Sequence, residues 1–454
     1  MRTMIQKLGN AVSPQKAYSL LHEKLYCAIL DSSLSGETGR YSIIGIHPYY
    51  ILEEREGVTY GNGEALADSF EQVLSDYLAD HYEENTTDLP FLSGGIGYFS
   101  YDYGCKFEHI PITNPKAVDM PEALICFYDN YLIFDLFEHC LYLTARGELM
   151  PPEESLTQLS RLLSETHETS LCKNNCTAEI CFDFTKEEYM QAVVDLIDHI
   201  VEGDVYIANM TQQMKVRCDI VPYDLFCLLR EKNPSPFGGY FHYPGFEIVS
   251  ASPERFIRMK DRCIETKPIK GTRKRGTNAI EDVQLKQELI DSEKDRSELL
   301  MIVDLERNDL HRICEVGSVQ VTKHFDVETY ATVFHLVTTI AGRMKENLTY
   351  ADLLQAMFPG GSITGAPKIE AMKTIDALEH TARGLYTGSL GYIGFDGDCD
   401  LNIVIRTAVY QGGVYHIGIG GGITCESDPE AEYEETIQKG RSFLRIFQGD
   451  DAHA

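Results

Sequence analysis

GSLGYIGFDGDCDLNIVIRTAVYQGGVYHIGI, residues 388–419, is the stretch whose reading decides the fold. Apolar and β-branched residues run through it in segments of strand length. Asp396-Gly397-Asp398 and Gly412-Gly413 interrupt them as turns short enough to close hairpins. Hairpin-linked strands pair antiparallel, so the predicted class is α+β, antiparallel sheet with helices packed outside. Further strand-like segments occur at 41–46, 123–137, 140–144, 246–259, 401–410 and 413–419. Helical periodicity predicts helices over 65–81, 153–166, 283–305, 350–357, 368–378 and 429–447. Another opens at Asp183, where Thr185 and Glu188 read as a capping box. Its buried face is expected to carry Met190, Val193, Val194, Ile197 and Ile200. The polar, aperiodic stretch around 167–181 places a linker at 166–182, between an N-terminal region 1–165 and a second region 183–450.

With 454 residues and 43% apolar composition, the chain can bury a large core or two closely packed ones. The net charge of -30, from 40 Lys+Arg against 70 Asp+Glu, opposes nonspecific binding to nucleic acid or anionic membrane. It leaves room for a small anion in a closed site, where local charges govern. Thirteen scattered cysteines without a Cys-x-x-Cys pair point to reduced thiols. The Cys172, Cys176, Cys181 group lacks a nearby histidine and is read as no metal site. No signal-peptide pattern and no membrane-length apolar run is present, so a soluble, cytoplasmic protein is expected.

Against this acidic background, residues 267–275 hold five cations. Lys270 stands there between Pro268-Ile269 and the pair Gly271-Thr272, where backbone can approach a ligand closely. Read alone, the segment is equally a solvated basic loop. Asp295 with Glu298, and Glu432 with Glu435, are each three apart in helical patterns, so each pair shares a helix face. Two such faces brought together would make an oxygen-rich pocket suited to Mg²⁺; left apart, they are ordinary helix surface. The triplet Gly420-Gly421-Gly422 by itself is a turn or bulge.

Taken together, these motifs resemble the anthranilate synthase and aminodeoxychorismate synthase family. The resemblance rests on 94–102 (GGIGYFSYD), 252–255 (SPER), 267–273 (KPIKGTR), 294–304 (KDRSELLMIVD), 359–368 (PGGSITGAPK), Ile405-Arg406-Thr407, 420–423 and 432–439 in this order. It implies a fold of two large antiparallel sheets in a sandwich, and an enzyme acting on chorismate. Anthranilate-forming members usually carry Pro-Ile-Ala-Gly-Thr where this chain has Lys270. The lysine therefore implies amination at C4, the step toward para-aminobenzoate and folate, with Lys270 as nucleophile at C2. By the same resemblance Glu254 is the general acid and His335 helps with the leaving hydroxyl; a salt-bridge role for Glu254 and a core role for His335 stay open. Thr272, Thr364, Tyr386, Arg406, Lys439 and the backbone of Gly420, Gly421 and Gly422 are implied to line the substrate site. Glu298 and Glu435 are implied to ligate Mg²⁺, with Asp295 and Glu432 holding its waters. Arg273, Lys274 and Arg275 are expected to help keep Lys270 neutral. Ile207 stands where isochorismate-forming relatives place a basic lysine and aminating ones commonly a glutamine; an apolar wall there would also favour the neutral amine. With no glutaminase segment in the chain, a separate glutamine amidotransferase subunit is implied as ammonia source. Ser32, Pro236 and Phe237 resemble the tryptophan pocket of the family, although a plain polar turn fits them equally. Anthranilate synthase, and a non-catalytic tryptophan-binding subunit, are the competing readings.

Overall fold

The computed structural model describes residues 2–9, 12–34, 39–165, 178–330 and 333–448. Among them, 22 strands form one hydrogen-bonded network. It bends into two leaves because two strands are long enough to serve both. Tyr41–Arg55 and Ala123–Asp135 pair with each other along their length. At one end they pair with Cys27–Asp31 and Cys140–Ala145, at the other with Val58–Gly61 and Gly94–Phe99. The first leaf continues through Phe237–Tyr243, Phe246–Ser252, Thr407–Gln411, Val414–Ile423 and Ile207–Arg217. The second continues through Ser389–Gly394, Cys399–Asn402, Arg255–Lys260, Cys263–Thr266 and Val333–Arg343. All these pairings are antiparallel.

An apolar layer containing Ile43, Tyr98, Tyr128, Phe241, Tyr243 and Leu390 fills the space between the leaves. Helices cover the outside. Pro14–Leu21, Pro152–Ser164, Pro222–Lys232 and Pro429–Gln448 share a core with the first leaf. Phe70–Asp80, Glu293–Ile313 and Tyr350–Met357 share one with the second. This is the α+β arrangement of sheets inside and helices outside that the hairpin pattern predicted. No helix among the described residues is long and apolar enough to cross a membrane.

Several boundaries differ from the sequence reading, each for a local reason. The helix expected over 65–81 begins only at Phe70, because Ser69 caps it and Glu64–Ala65 forms a short strand. The helix expected over 283–305 is two helices, Ala279–Asp291 and Glu293–Ile313, divided at Ser292, which caps the second by accepting from the Asp295 N–H. The Thr185–Glu188 capping box is present. The buried face of that helix is Tyr189, Ala192, Val193 and Leu196, with Val194 exposed. The predicted Ile197 and Ile200 pack, partly buried, against the same cluster, and the Tyr189 hydroxyl donates to the Met210 carbonyl at 3.1 Å. The predicted linker lies mostly outside the described residues, but its end is a strand, Glu179–Phe182, paired with 214–217. The strands expected over 246–259 and 401–410 are each broken, at 253–254 and 403–406. Those two breaks carry Glu254 and Arg406.

Candidate active site

Lys270 lies on the strand Ile269–Lys274, which pairs with Val333–Arg343 through an irregular register and packs on the Glu293–Ile313 helix. The following residue has to be glycine. Gly271 has φ +77°, and a Cβ there would lie 2.8 Å from the Asp295 Cγ. Gly271→Ala is expected to lower stability by about 1–2 kcal/mol through the left-handed backbone alone, and to displace Asp295 or Lys270 as well. Urea titration together with a chorismate assay would read both effects; wild-type values in both would contradict this account of the bend.

The Lys270 Nζ reaches the Ser362 carbonyl at 3.4 Å, and a Cβ on Gly422 would lie 3.4 Å from it and 3.6 Å from Ile207 Cδ1. The amine thus sits over glycine backbone, beside the apolar side chain that the sequence placed there. Burial lowers the pKa of Lys270, and Lys439 adds to that effect against the opposing charges of Glu298, Glu254 and Glu435. The cation involved is therefore Lys439. Arg273 and Arg275 are engaged elsewhere, pairing with Asp295 at 3.0 Å and Asp282 at 2.7 Å, and Lys274 is exposed.

Glu254 is buried, and its Oε1 accepts the Ser362 hydroxyl at 3.0 Å. It is not a partner of Arg255, which makes two 2.9 Å bonds to Asp400. Burial pushes the Glu254 carboxyl up to about 7, held back by the Ser362 hydroxyl and the charge of Lys270. Ser362 therefore touches both reacting groups, through its hydroxyl to the acid and its carbonyl to the amine. It lies in the motif 359–368 but was assigned no role from sequence, because nothing in a Gly-Gly-Ser turn marks which neighbour it serves.

His335 is both buried and part of the site. Its Nδ1 pairs with the Thr272 hydroxyl at 2.8 Å, and burial, with the Arg406 charge adding, lowers it to about 4. The imidazole is accordingly neutral at physiological pH. Arg406 has φ +49°, and its guanidinium makes no hydrogen bond or ion pair among the described residues. Burial lowers its pKa. A guanidinium with no partner among the described residues has the bidentate geometry that suits a carboxylate.

Tyr386 lies flat against Gly418, where a Cβ would come within 2.1 Å of its ring. Thr364 is different from its expected role: it is fully buried and gives its hydroxyl to the Gly360 carbonyl at 2.8 Å, which holds the turn instead of facing a ligand. Lys439 bonds the Gly420 carbonyl at 2.8 Å and Glu435 at 2.7 Å.

Beneath the site, Arg383 and Glu379 form a buried pair. Arg383 also donates to the carbonyls of Ile363 at 2.8 Å and Asn209 at 2.5 Å, while Glu379 accepts from Thr211 N at 3.0 Å and Oγ1 at 2.7 Å. This network ties the 360–364 turn to the strand carrying Ile207. Arg383→Leu, which leaves Glu379 buried and unpaired, is expected to cost about 3–5 kcal/mol in chemical denaturation; a loss below about 1 kcal/mol would show that the pair is dispensable.

The four acidic residues come together from two helices. Burial raises Glu298, with Asp295 and Glu435 adding to the rise. Burial raises Glu432 as well, and it accepts the Ser427 hydroxyl at 2.7 Å. Burial also pushes Glu435 upward, but Lys439 and Lys270 outweigh it and leave the carboxyl below its ordinary value. A Cβ on Gly421 would fall 3.3 Å from Glu435 Oε1 and 3.4 Å from Glu432 Oε2, so glycine keeps a cradle open beside them. The donor set is all oxygen, with Asp295 paired to Arg273 and Glu435 to Lys439, and its chemistry suits a hard cation that keeps its waters. Among the described residues, the only three ligand side chains whose atoms lie within 4.8 Å of one another are His199, Glu202 and Asp204, on the surface. The four candidate carboxylates do not form such a close group.

Ser32, Pro236 and Phe237 line a separate cavity of about 480 Å³, with Tyr392, Asp400 and Asn402. The Ser32 hydroxyl is used by the Pro236 carbonyl at 2.9 Å.

The profile of the chorismate binding enzyme family matches residues 29–445. The chain belongs to this family of chorismate-using enzymes. It is similar to aminodeoxychorismate synthase component 1 of Bacillus subtilis, 35% identical over 425 residues, covering 91% of this chain and 90% of that one. It is equally similar to anthranilate synthase component 1 of Thermus thermophilus, 35% identical over 457 residues, covering 98% and 97%. Among solved structures, anthranilate synthase component I from Streptococcus pneumoniae superposes with a TM-score of 0.81 at 30% identity, covering 96% of this chain and 98% of that chain.

Proposed function

We propose that this protein is the chorismate-aminating component of an aminodeoxychorismate synthase. The observation that carries the reading is Lys270: a half-buried amine with lowered pKa, 3.4 Å from where a Gly422 Cβ would sit and walled by Ile207. In this mechanism the unprotonated Lys270 amine attacks C2 of the ring, the ring double bond shifts, and the C4–O bond breaks. Glu254 gives its proton to the departing hydroxyl, which leaves as water. Ammonia then forms the C4–N bond, the double bond shifts back, and the lysine leaves as a neutral amine. Arg406 pairs with a substrate carboxylate, and Thr272 with His335 borders the leaving group. Glu298 and Glu435 would hold Mg²⁺ directly and Asp295 and Glu432 through water; when bound, the ion supplies a Lewis acid for the other carboxylate.

Anthranilate synthase is the second reading, favoured by the equal identity to that relative. The deciding experiment supplies chorismate, Mg²⁺ and ammonium and identifies the product. 4-Amino-4-deoxychorismate supports the proposal; anthranilate alone would replace it with the second reading. Both relatives are named as component 1 of their enzymes, which supports a partner amidotransferase. Accordingly, the pure chain is expected to use ammonium and not glutamine, and glutamine-dependent turnover would contradict this. Tryptophan is the proposed occupant of the Ser32 cavity, whose size suits a small ligand. The chain has no tryptophan of its own, so ligand fluorescence reads binding directly, and the absence of a saturable change would remove the proposal.

A further inference from the structure

Glu306 is a buried carboxyl that this reaction scheme leaves without a task. It lies on the Glu293–Ile313 helix, three turns on from Asp295 and on the same face. It is 5% exposed, and its Oε2 accepts the Thr266 hydroxyl at 2.7 Å. A Cβ on Gly361 would lie 3.7 Å from the Glu306 Cγ, and the next residue, Ser362, bonds Glu254 at 3.0 Å. Two buried carboxyls thus flank one turn. The groups facing Glu306 are Glu254, Thr266 from its strand, Asp309 one turn along its own helix, and Lys368 from a third element. Lys368 pairs with Asp309 at 2.6 Å.

Neighbouring buried carboxyls resist ionising together. Burial, with Glu254 and Asp309 adding, lifts Glu306 to about 8 against the Thr266 hydroxyl and Lys368, whereas Glu254 stands at about 7. Both carboxyls are raised by burial, so the pair keeps a proton well above the ordinary carboxylate range.

We infer that Glu306 is a positioning residue for the acid step, keeping a second proton beside Glu254 and returning it after each turnover. Glu254 loses its proton to the departing hydroxyl, and ammonia that enters as NH3 stays on the product as an ammonium group. A proton, released by ammonium on becoming ammonia or taken from solvent, must therefore reach buried Glu254 before the next turnover. The Glu306 O–H bond then breaks as one forms on Glu254, and Glu306 refills from solvent past the Asp309–Lys368 pair. The inference rests on the reading that this chain consumes chorismate, whichever amine is formed.

The test uses the full chain with chorismate, Mg²⁺ and ammonium, following chorismate loss in the parent, Glu306→Gln and Glu306→Leu. Both variants are expected to lower kcat about tenfold with KM changed less than about twofold. The solvent deuterium isotope effect on kcat should rise, because proton return becomes slow. The alkaline limb of kcat should move to lower pH. Glu306→Asp should recover part of the rate. Glu306→Leu guards against a folding artefact. A carboxyl raised to about 8 in the folded state gives stability below the unfolded carboxyl range that is lost as pH rises through that value, and leucine removes the loss. Wild-type kcat, isotope effect and pH profile in a folded Glu306→Leu would overturn the inference alone. A parent that consumes no chorismate would overturn the functional reading first.

Discussion

Lys270→Ala is expected to reduce chorismate turnover by about three orders of magnitude or more, the scale on which a covalent nucleophile contributes. Among the described residues, Lys270 is the amine that lies over the glycine floor at Gly422. Lys270→Arg should not rescue, since a guanidinium stays protonated across the accessible pH range and offers no lone pair. The pH dependence has a fixed sign. The neutral amine is the active form, so the rate rises with pH through the lowered Lys270 pKa. Ile207→Gln, which replaces an apolar wall by a polar one, should raise that pKa and carry the acidic limb upward. Product analysis and the pH profile of kcat/KM measure both effects. Full turnover in the alanine variant, or an unmoved limb in Ile207→Gln, would remove the nucleophile or the wall from the mechanism.

Glu254→Gln should lower kcat by about 10²–10⁴-fold, the range of a positioned general acid, with KM little changed. Here the protonated form is active, so the rate falls as pH rises through about 7. The profile is a bell set by two groups, one needed neutral as an amine and the other neutral as an acid. Ser362→Ala separates them. The Ser362 hydroxyl holds the Glu254 pKa down, so its removal should move the alkaline limb upward and leave the acidic limb in place. A profile that shifted at both ends, or at neither, would count against assigning that limb to Glu254.

The extent to which the site was legible differs residue by residue. Lys270, Glu254, Arg406 and the two acidic pairs were singled out because each sits in a short stretch with a chemistry of its own. Thr364 misled: its motif suggests a pocket wall, but a buried hydroxyl is taken by whichever carbonyl lies nearest, here that of Gly360. Ser362 and Glu306 were missed because their partners, Glu254 and Thr266, are distant in sequence. The cations thought to suppress the charge on Lys270 were those adjacent in sequence, whereas the charge that acts comes from Lys439 on another helix.

Hairpin turns at 396–398 and 412–413 and the alternation of strands and helices were enough, from sequence alone, to determine an antiparallel sheet clothed in helices. Those properties follow from backbone preferences within a few residues. Two matters needed the folded chain. The breaks at 253–254 and 403–406 lie inside segments that read as single strands, and only the pairing of the folded chain shows the ladders stopping on either side of Glu254 and Arg406. The charge state of the site was likewise decided by tertiary structure, because burial and through-space neighbours, and not residue type, set whether an amine is neutral or a carboxyl keeps its proton.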